Sequence, residues 1–305
     1  MHVGNAVVDH VLRIPQLPVR GGDVVATGSF DAVGGGFNVM AAAARDGLAV
    51  VYGGMHGTGP RGDLVRAALA AEGVVAAQPP LEGLDTGEVL TLVDAGSERT
   101  FVTVPGAESH LDATALARLD PQPGDLVYVT GYSLAHRLPC AALASWVPRL
   151  SSSVVVVLDP GPLVGQLPHA ALEAVLARAD WCTLNASEAR AMTGCVEPEA
   201  AARSLLAQLH PGACVVVRLG ADGCLVVGAS VDHVPGMPVE AVDLNGAGDA
   251  HTGVLMATLA RGLGPVEAAR RANGAAALAV TRRGPATSPR SDELDAALDG
   301  WRDLG

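Results

Sequence analysis

Strand-length apolar runs spaced by helical patterns govern what this chain can become. Leu126 to Thr130, Val154 to Leu158, Trp181 to Leu184, Cys214 to Leu219 and Cys224 to Val227 are short, rich in β-branched residues and nearly free of charge. Around them lie Ala- and Leu-rich segments of helical character: Phe37 to Arg45, Asp63 to Glu72, Leu138 to Leu150, Pro198 to Leu209, Ala247 to Arg261 and Pro265 to Val280. A strand apolar on both sides must be covered on both sides, and a strand followed by a helix returns parallel to its predecessor. The alternation therefore predicts an α/β fold, a central, mostly parallel sheet flanked by helices on both faces. Met1 to Val8 is expected to add a sixth strand.

Two segments break this rhythm. Val11 to Phe30 and Glu88 to Val104 alternate apolar and polar residues between turns, with a hairpin signal at Asp94 to Ser97. Such strands have no place in a parallel sheet, so residues 11–30 and 88–104 are expected to form a small antiparallel β lid inserted in a single domain spanning 1–305. A lid beside a sheet can close over a site; a solvent-facing edge hairpin is the plainer alternative.

Composition narrows the function. Hydrophobic residues make up 49% of the 305, enough for a large core, and the net charge of −12 would repel a phosphate backbone, so nucleic acid is not an expected partner. The apolar stretch Val266 to Val280 is broken by Glu267, Arg270, Arg271 and Asn273, which disfavours a membrane span. The start of the chain reads as a strand rather than a leader peptide, so a cytoplasmic location is expected. Five cysteines without metal or disulfide spacing read mainly as core residues. All 20 basic residues are arginines, so a lysine-dependent phosphate loop and any Schiff-base mechanism are excluded.

The strongest local signal is Asp243-Leu-Asn-Gly-Ala-Gly-Asp249, between an expected strand, Val239 to Val242, and a helix opening at Ala250. Small residues at Gly246, Ala247 and Gly248 let backbone N–H groups at a helix start approach an oxyanion, with the helix dipole adding positive potential. Asp249 stands in position to accept a proton from an attacking hydroxyl. A Gly-rich turn capped by Asp249 is the bland reading of the same residues.

Three further segments accompany it. Gly34-Gly-Gly-Phe-Asn38 opens a helix, where glycines admit a hydroxylated ligand to the backbone and Asn38 can donate to and accept from vicinal hydroxyls. It lacks the spacing of a dinucleotide loop and the downstream ribose-binding acid, so a nicotinamide-dependent dehydrogenase is not supported. Asn185-Ala-Ser-Glu188 follows a strand, where Glu188 and Asn185 could hold Mg²⁺ through water; the same residues also suit a helix cap. Gly220 and Gly223 follow another strand, and Asn273 lies on an otherwise apolar helix, with an amide that matches the edge of adenine or a merely satisfied packing position.

In this order the residues resemble the ribokinase family of PfkB-type carbohydrate kinases, most closely an uncharacterised sugar-kinase branch. The resemblance covers nearly the whole chain. It implies an ATP-dependent kinase of a sugar or polyol, with Asp249 as base and Gly246, Ala247 and Gly248 as anion hole. It further implies that Asp9, Gly35, Gly36, Asn38 and Arg99 bind the substrate, and that Asn185, Gly220, Gly223 and Asn273 face the nucleotide. Asn185 and Glu188 would organise Mg²⁺. Monovalent-cation activation, for instance by K⁺, occurs in the family, and Asp243 with the loop Arg283 to Ser288 is the corresponding region. A homodimer formed through exposed lid edges is also expected. The chain departs from the family at Leu244, where a Thr is usual, and at His251, where a Phe is common. A nucleoside kinase with Phe30, Phe37 and Phe101 around the base, or a silent ligand-binding regulator, remain the alternatives.

Overall fold

The computed structural model describes residues 1–96 and 98–302. Its strands are β1 (Ala6–Arg13), β2 (Gly28–Gly35), β3 (Val51–Tyr52), β4 (Val75–Ala76), β5 (Glu88–Val93), β6 (Arg99–Val104), β7 (Leu126–Thr130), β8 (Val155–Asp159), β9 (Trp181–Asn185), β10 (Cys214–Arg218), β11 (Cys224–Val227) and β12 (Val231–Val234). Its helices are α1 (Gly36–Arg45), α2 (Pro60–Ala71), α3 (Ala113–Leu116), α4 (Gly131–Leu134), α5 (Arg137–Trp146), α6 (His169–Leu176), α7 (Ala186–Thr193), α8 (Pro198–Leu206), α9 (Ala247–Ala260), α10 (Pro265–Val280) and α11 (Ser291–Arg302).

The central sheet runs β12-β11-β10-β9-β8-β7 and continues through His2, which bridges Tyr128 of β7 and Tyr52 of β3, to β4. It is parallel except at β11 and β12, which pair antiparallel. Alternate residues of its valine runs enter opposite cores. Val127, Val156, Leu158, Val215 and Val217 pack with Leu143, Val175 and Leu205 on one side. Tyr128 and Val157 meet Val39 and Met256 on the other, while Val216 joins Leu255 and Ala268. Both faces are covered, which is why these strands carry almost no polar residues.

A second sheet has the order β2-β1-β5-β6. The structure places this lid differently from the expectation in three respects. Its strands span 6–13 and 28–35, with 14–27 as a connection. Its central pair, β1 and β5, is parallel, with Val8 opposite Glu88 and Arg13 opposite Val93. Met1 to Val8 is not one strand: His2 serves the main sheet and Ala6 onward the lid, with the break at Gly4 and Asn5. The hairpin signal includes Ser97, which lies outside the described residues. Val239 to Val242 also forms no strand; the chain there is tied instead to the end of α10, with Val242 and Asp243 N–H donating to the Val280 carbonyl at 2.7 and 3.0 Å.

Candidate active site

The starts of α1 and α9 come together beneath the lid. Their close approach depends on Gly253 in α9, where a Cβ would lie only 2.5 Å from the Val39 carbonyl oxygen of α1. Gly246 is the N-cap of α9 with φ 75°, a left-handed conformation that suits glycine, and it offers no capping side chain to the helix N–H groups. Asp249 follows in the first turn and accepts a 2.9 Å hydrogen bond from Asn38 Nδ2. Burial raises its carboxyl to about 6, against the opposing effect of the Asn38 bond.

Asp9, on β1, faces the same space. Burial and then the Asp249 charge push its carboxyl to about 6 as well. Gly34 makes room for it, since a Cβ there would sit 2.2 Å from Asp9 Oδ2. Gly35 turns the chain from β2 into α1 with φ 62°, and Gly36 packs on His2, whose Nε2 would be 2.2 Å from a Cβ. Asn38 Oδ1 is buried without a partner, an open acceptor beside the Asp249 carboxylate. Asp9 also lines a cavity of about 800 Å³ between the lid and the 242–245 and 283–285 segments, with Phe30, Phe101, Arg13 and Arg283 on its wall.

The residues expected around the nucleotide divide. Asn185 and Glu188 form a reciprocal cap on α7: Glu188 N–H donates to Asn185 Oδ1 at 2.9 Å, and Asn185 N–H to Glu188 Oε2 at 2.8 Å. Gly220 and Gly223, with φ 65° and 89°, bracket the turn from β10 to β11. Asn273 does not present a free amide to that turn. Its Nδ2 donates to the Val234 and Pro235 carbonyls at 3.0 Å each, so it fixes the chain leaving β12. Arg99 lines the cavity on β6 and pairs with Asp243 on its opposite wall at 2.5 Å.

Sequence reasoning missed Arg218 and Asp159. Arg218 ends β10 and lies directly behind the α9 turn, its guanidinium 3.6 Å from where a Gly248 Cβ would be. Its Nη1 donates to Thr183 Oγ1 at 2.8 Å, to Asp159 Oδ2 at 3.1 Å and to Thr252 Oγ1 at 3.1 Å, and its Nη2 lies 3.6 Å from Glu188 Oε2. Burial opposes the charged form of Arg218, but Asp159 and Glu188 outweigh it and raise the pKa. Burial and then Asp159 push the Glu188 carboxyl up, with Arg218 and the cap opposing. The signal was present: an arginine closing a valine run stands at the carboxyl end of a parallel strand, where α/β sheets bind ligands.

The arrangement thus joins a helix start without a capping side chain, the Arg218 guanidinium behind it, and two carboxyls that burial raises to about 6. The sequence matches the pfkB family of carbohydrate kinases over residues 1–292. It is 33% identical over 299 residues to the uncharacterised sugar kinase YegV of Escherichia coli, covering 96% of this chain and 92% of that one. The structure superposes on a ribokinase from Thermotoga maritima with a TM-score of 0.83, 25% identity and 98% of both chains covered. It matches an aminoimidazole riboside kinase from Salmonella enterica, complexed with aminoimidazole riboside and an ATP analogue, with a TM-score of 0.80, 25% identity and 97% and 98% coverage. A glycine-rich helix start set among carboxylates on this fold accords with that match, and the chain belongs to the pfkB family of carbohydrate kinases.

Proposed function

We propose that this kinase transfers the γ-phosphoryl group of ATP to a hydroxyl of a sugar or polyol, with Asp249 as the base and the Gly246 to Gly248 backbone as the anion hole. The observation that carries the reading is the 2.9 Å contact of Asn38 with Asp249. It sets a hydroxyl-binding amide, with its Oδ1 open, against a carboxylate at a helix start. The acceptor hydroxyl donates to the Asp249 carboxylate beside this contact, with Asn38 Oδ1 open to a hydroxyl next to it, and Asp9 holds a further hydroxyl. Asp249 takes the proton as the oxygen attacks phosphorus, while the α9 N–H groups and Arg218 offset charge on the transferring group.

Mg²⁺ suits the residues as a shared ligand. Asn185 and Glu188 would hold the ion through water, with the phosphates of ATP as its other ligands. Glu188 Oε2 accepts from Asn185 N–H at 2.8 Å and lies 3.6 Å from Arg218 Nη2. Mg²⁺ there would neutralise phosphate oxygens.

A nucleoside acceptor is the second reading, favoured by Phe30 and Phe101, which line the cavity at 42% and 57% exposure. Phe37 is buried at 6% in the α1 core and cannot line it. The lid-mediated homodimer rests on exposed Phe101, Val102 and Val104 of β6. The test of the kinase reading is ADP release from ATP and Mg²⁺ over a panel of sugars, polyols and nucleosides, with Asp249→Ala as control. A drop of about 10²-fold or more in turnover with ATP binding retained is expected; equal turnover in the variant would refute it, as well as exclude a base role for Asp249.

A further inference from the structure

The cavity beneath the lid changes character along its length. Asp9, Val11 and Arg13 alternate along β1, so one face of that strand turns three different side chains into it. Asp9 lies at the reacting end, where the Asp249 charge acts on it. Across the middle run Phe30, Val11, Thr91 and Phe101, opposite one another on four adjacent strands. Arg13 closes the far end, four residues from Asp9 and about 13 Å away at the rise of a strand. The 283–285 segment brings Arg283 to the other wall.

The acidic groups near these two arginines are already engaged. Asp243 accepts from Arg99 Nη2 at 2.5 Å through Oδ1 and from Gly284 N–H at 3.1 Å through Oδ2. Asp94 Oδ1 accepts from Gly96 and Glu98 N–H at 2.8 and 3.0 Å. Among the described residues neither Arg13 nor Arg283 has a carboxylate within ion-pair distance. An exposed arginine without a carboxylate is ordinary, but Thr91 is not. It lies on the cavity wall between Asp9 and Arg13, is 4% exposed, and its Oγ1 has no hydrogen-bond partner. A buried hydroxyl left unpaired is destabilising, and on the wall of a cavity it is satisfied when a polar ligand enters. The volume of about 800 Å³ lies within the range of small-molecule sites. A single sugar ring held at Asp9 leaves the arginine end of it open.

We propose that the acceptor of this kinase is an anionic sugar, bearing a phosphate or carboxylate remote from the reacting hydroxyl, and that Arg13 and Arg283 hold that anion. Guanidinium groups match either anion with paired donors. The charges also orient the ligand: Asp9 and Asp249 repel its anion from the reacting end, and the arginines draw it to the other, which leaves a hydroxyl at Asp249. Thr91 serves the body of the sugar, between the exposed rings of Phe30 and Phe101. The inference rests on the kinase reading for its activity readout, and a binding readout separates the two.

The experiment measures ADP release by the purified full chain with ATP and Mg²⁺ on matched acceptors: neutral pentoses and hexoses, their phosphate monoesters, and the corresponding sugar acids. An anionic member is expected to exceed its neutral parent by about tenfold or more in kcat/KM, and Arg13→Gln and Arg283→Gln are each expected to remove most of that advantage through the acceptor KM. The phosphate and carboxylate arms identify which anion the site takes. A neutral sugar used as well as its anionic partners, or substitutions that lower neutral and anionic acceptors in equal proportion, would overturn the proposal. Calorimetric titration of the same sugars without ATP isolates binding from phosphoryl transfer. Anionic sugars are expected to bind more tightly than neutral ones, and to lose that preference in Arg13→Gln and Arg283→Gln, even if no acceptor is phosphorylated. Anionic sugars that bind no better than neutral ones, or equally well to the Gln variants, overturn the inference and leave the kinase reading standing.

Discussion

Asn38 and Asp249 stand 211 positions apart in the chain and meet at 2.9 Å, amide to carboxylate, where α1 and α9 begin side by side. That contact joins the glycine-rich entry to α1 with the glycine-rich start of α9, and it gives the carboxylate a partner that opposes the effect of its burial.

Replacing Asn38 with Ala removes this donor and the open Oδ1 together. A hydrogen bond to a charged group contributes about 1.5–3 kcal/mol, so a loss of about tenfold to a hundredfold in kcat/KM is expected. The Asp249 pKa should rise further, moving the acidic limb of the kcat profile to higher pH. A limb that stays in place in Asn38→Ala would show that the bond does not tune the carboxylate.

Activity should rise with pH through about 6, where Asp249 ionises. Stability should run the other way. Between the ordinary 3.8 and about 6 the folded Asp249 and Asp9 hold protons that the unfolded chain has released, so the native state is favoured at the acidic end and loses this advantage as pH rises through that window. Asp249→Asn removes a buried charge and should melt a few degrees higher than the parent at pH 7. Equal melting temperatures at pH 7 would contradict the raised pKa.

Gly34→Ala should act through Asp9. The added Cβ would fall 2.2 Å from Asp9 Oδ2, and the carboxylate must turn away. An acceptor KM raised about tenfold is expected, the equivalent of one charged hydrogen bond, with the KM for ATP unchanged. A change confined to ATP would place Asp9 elsewhere in the reaction.

Arg218→Met leaves Asp159 and Glu188 buried without their cation. Breaking a buried pair on one side costs about 3–5 kcal/mol, so melting should fall by about ten degrees and ATP turnover with it. Arg218→Lys keeps the charge but cannot span Thr183, Asp159 and Thr252 at once, and should recover part of the stability. If Arg218→Met melts like the parent, the cluster is not holding the sheet ends together.

The strands β7 to β11 and the helices α1, α2, α5, α8, α9 and α10 were legible because their signals are local. β-branched runs and helical periodicity state which faces must be buried, and both faces of these strands are. The Gly246 to Asp249 turn was legible for the same reason, since a helix start and its small residues are adjacent in the chain. Partners across the fold were not. Nothing near Asn273 announces that its amide will face the carbonyls of Val234 and Pro235, and nothing near Arg99 announces Asp243. Arg218 gains its meaning only when β10 lies beside β9 and α9, which brings Thr183, Glu188 and Thr252 around one guanidinium. The division of the first residues between two sheets was likewise undetermined locally, because strand pairing depends on neighbours distant in sequence. The sequence alone determined the α/β architecture and the glycine-rich turn that opens α9, through local periodicity and backbone freedom. Tertiary structure decided which charges face one another, because burial and pairing arise only when remote segments exclude water together.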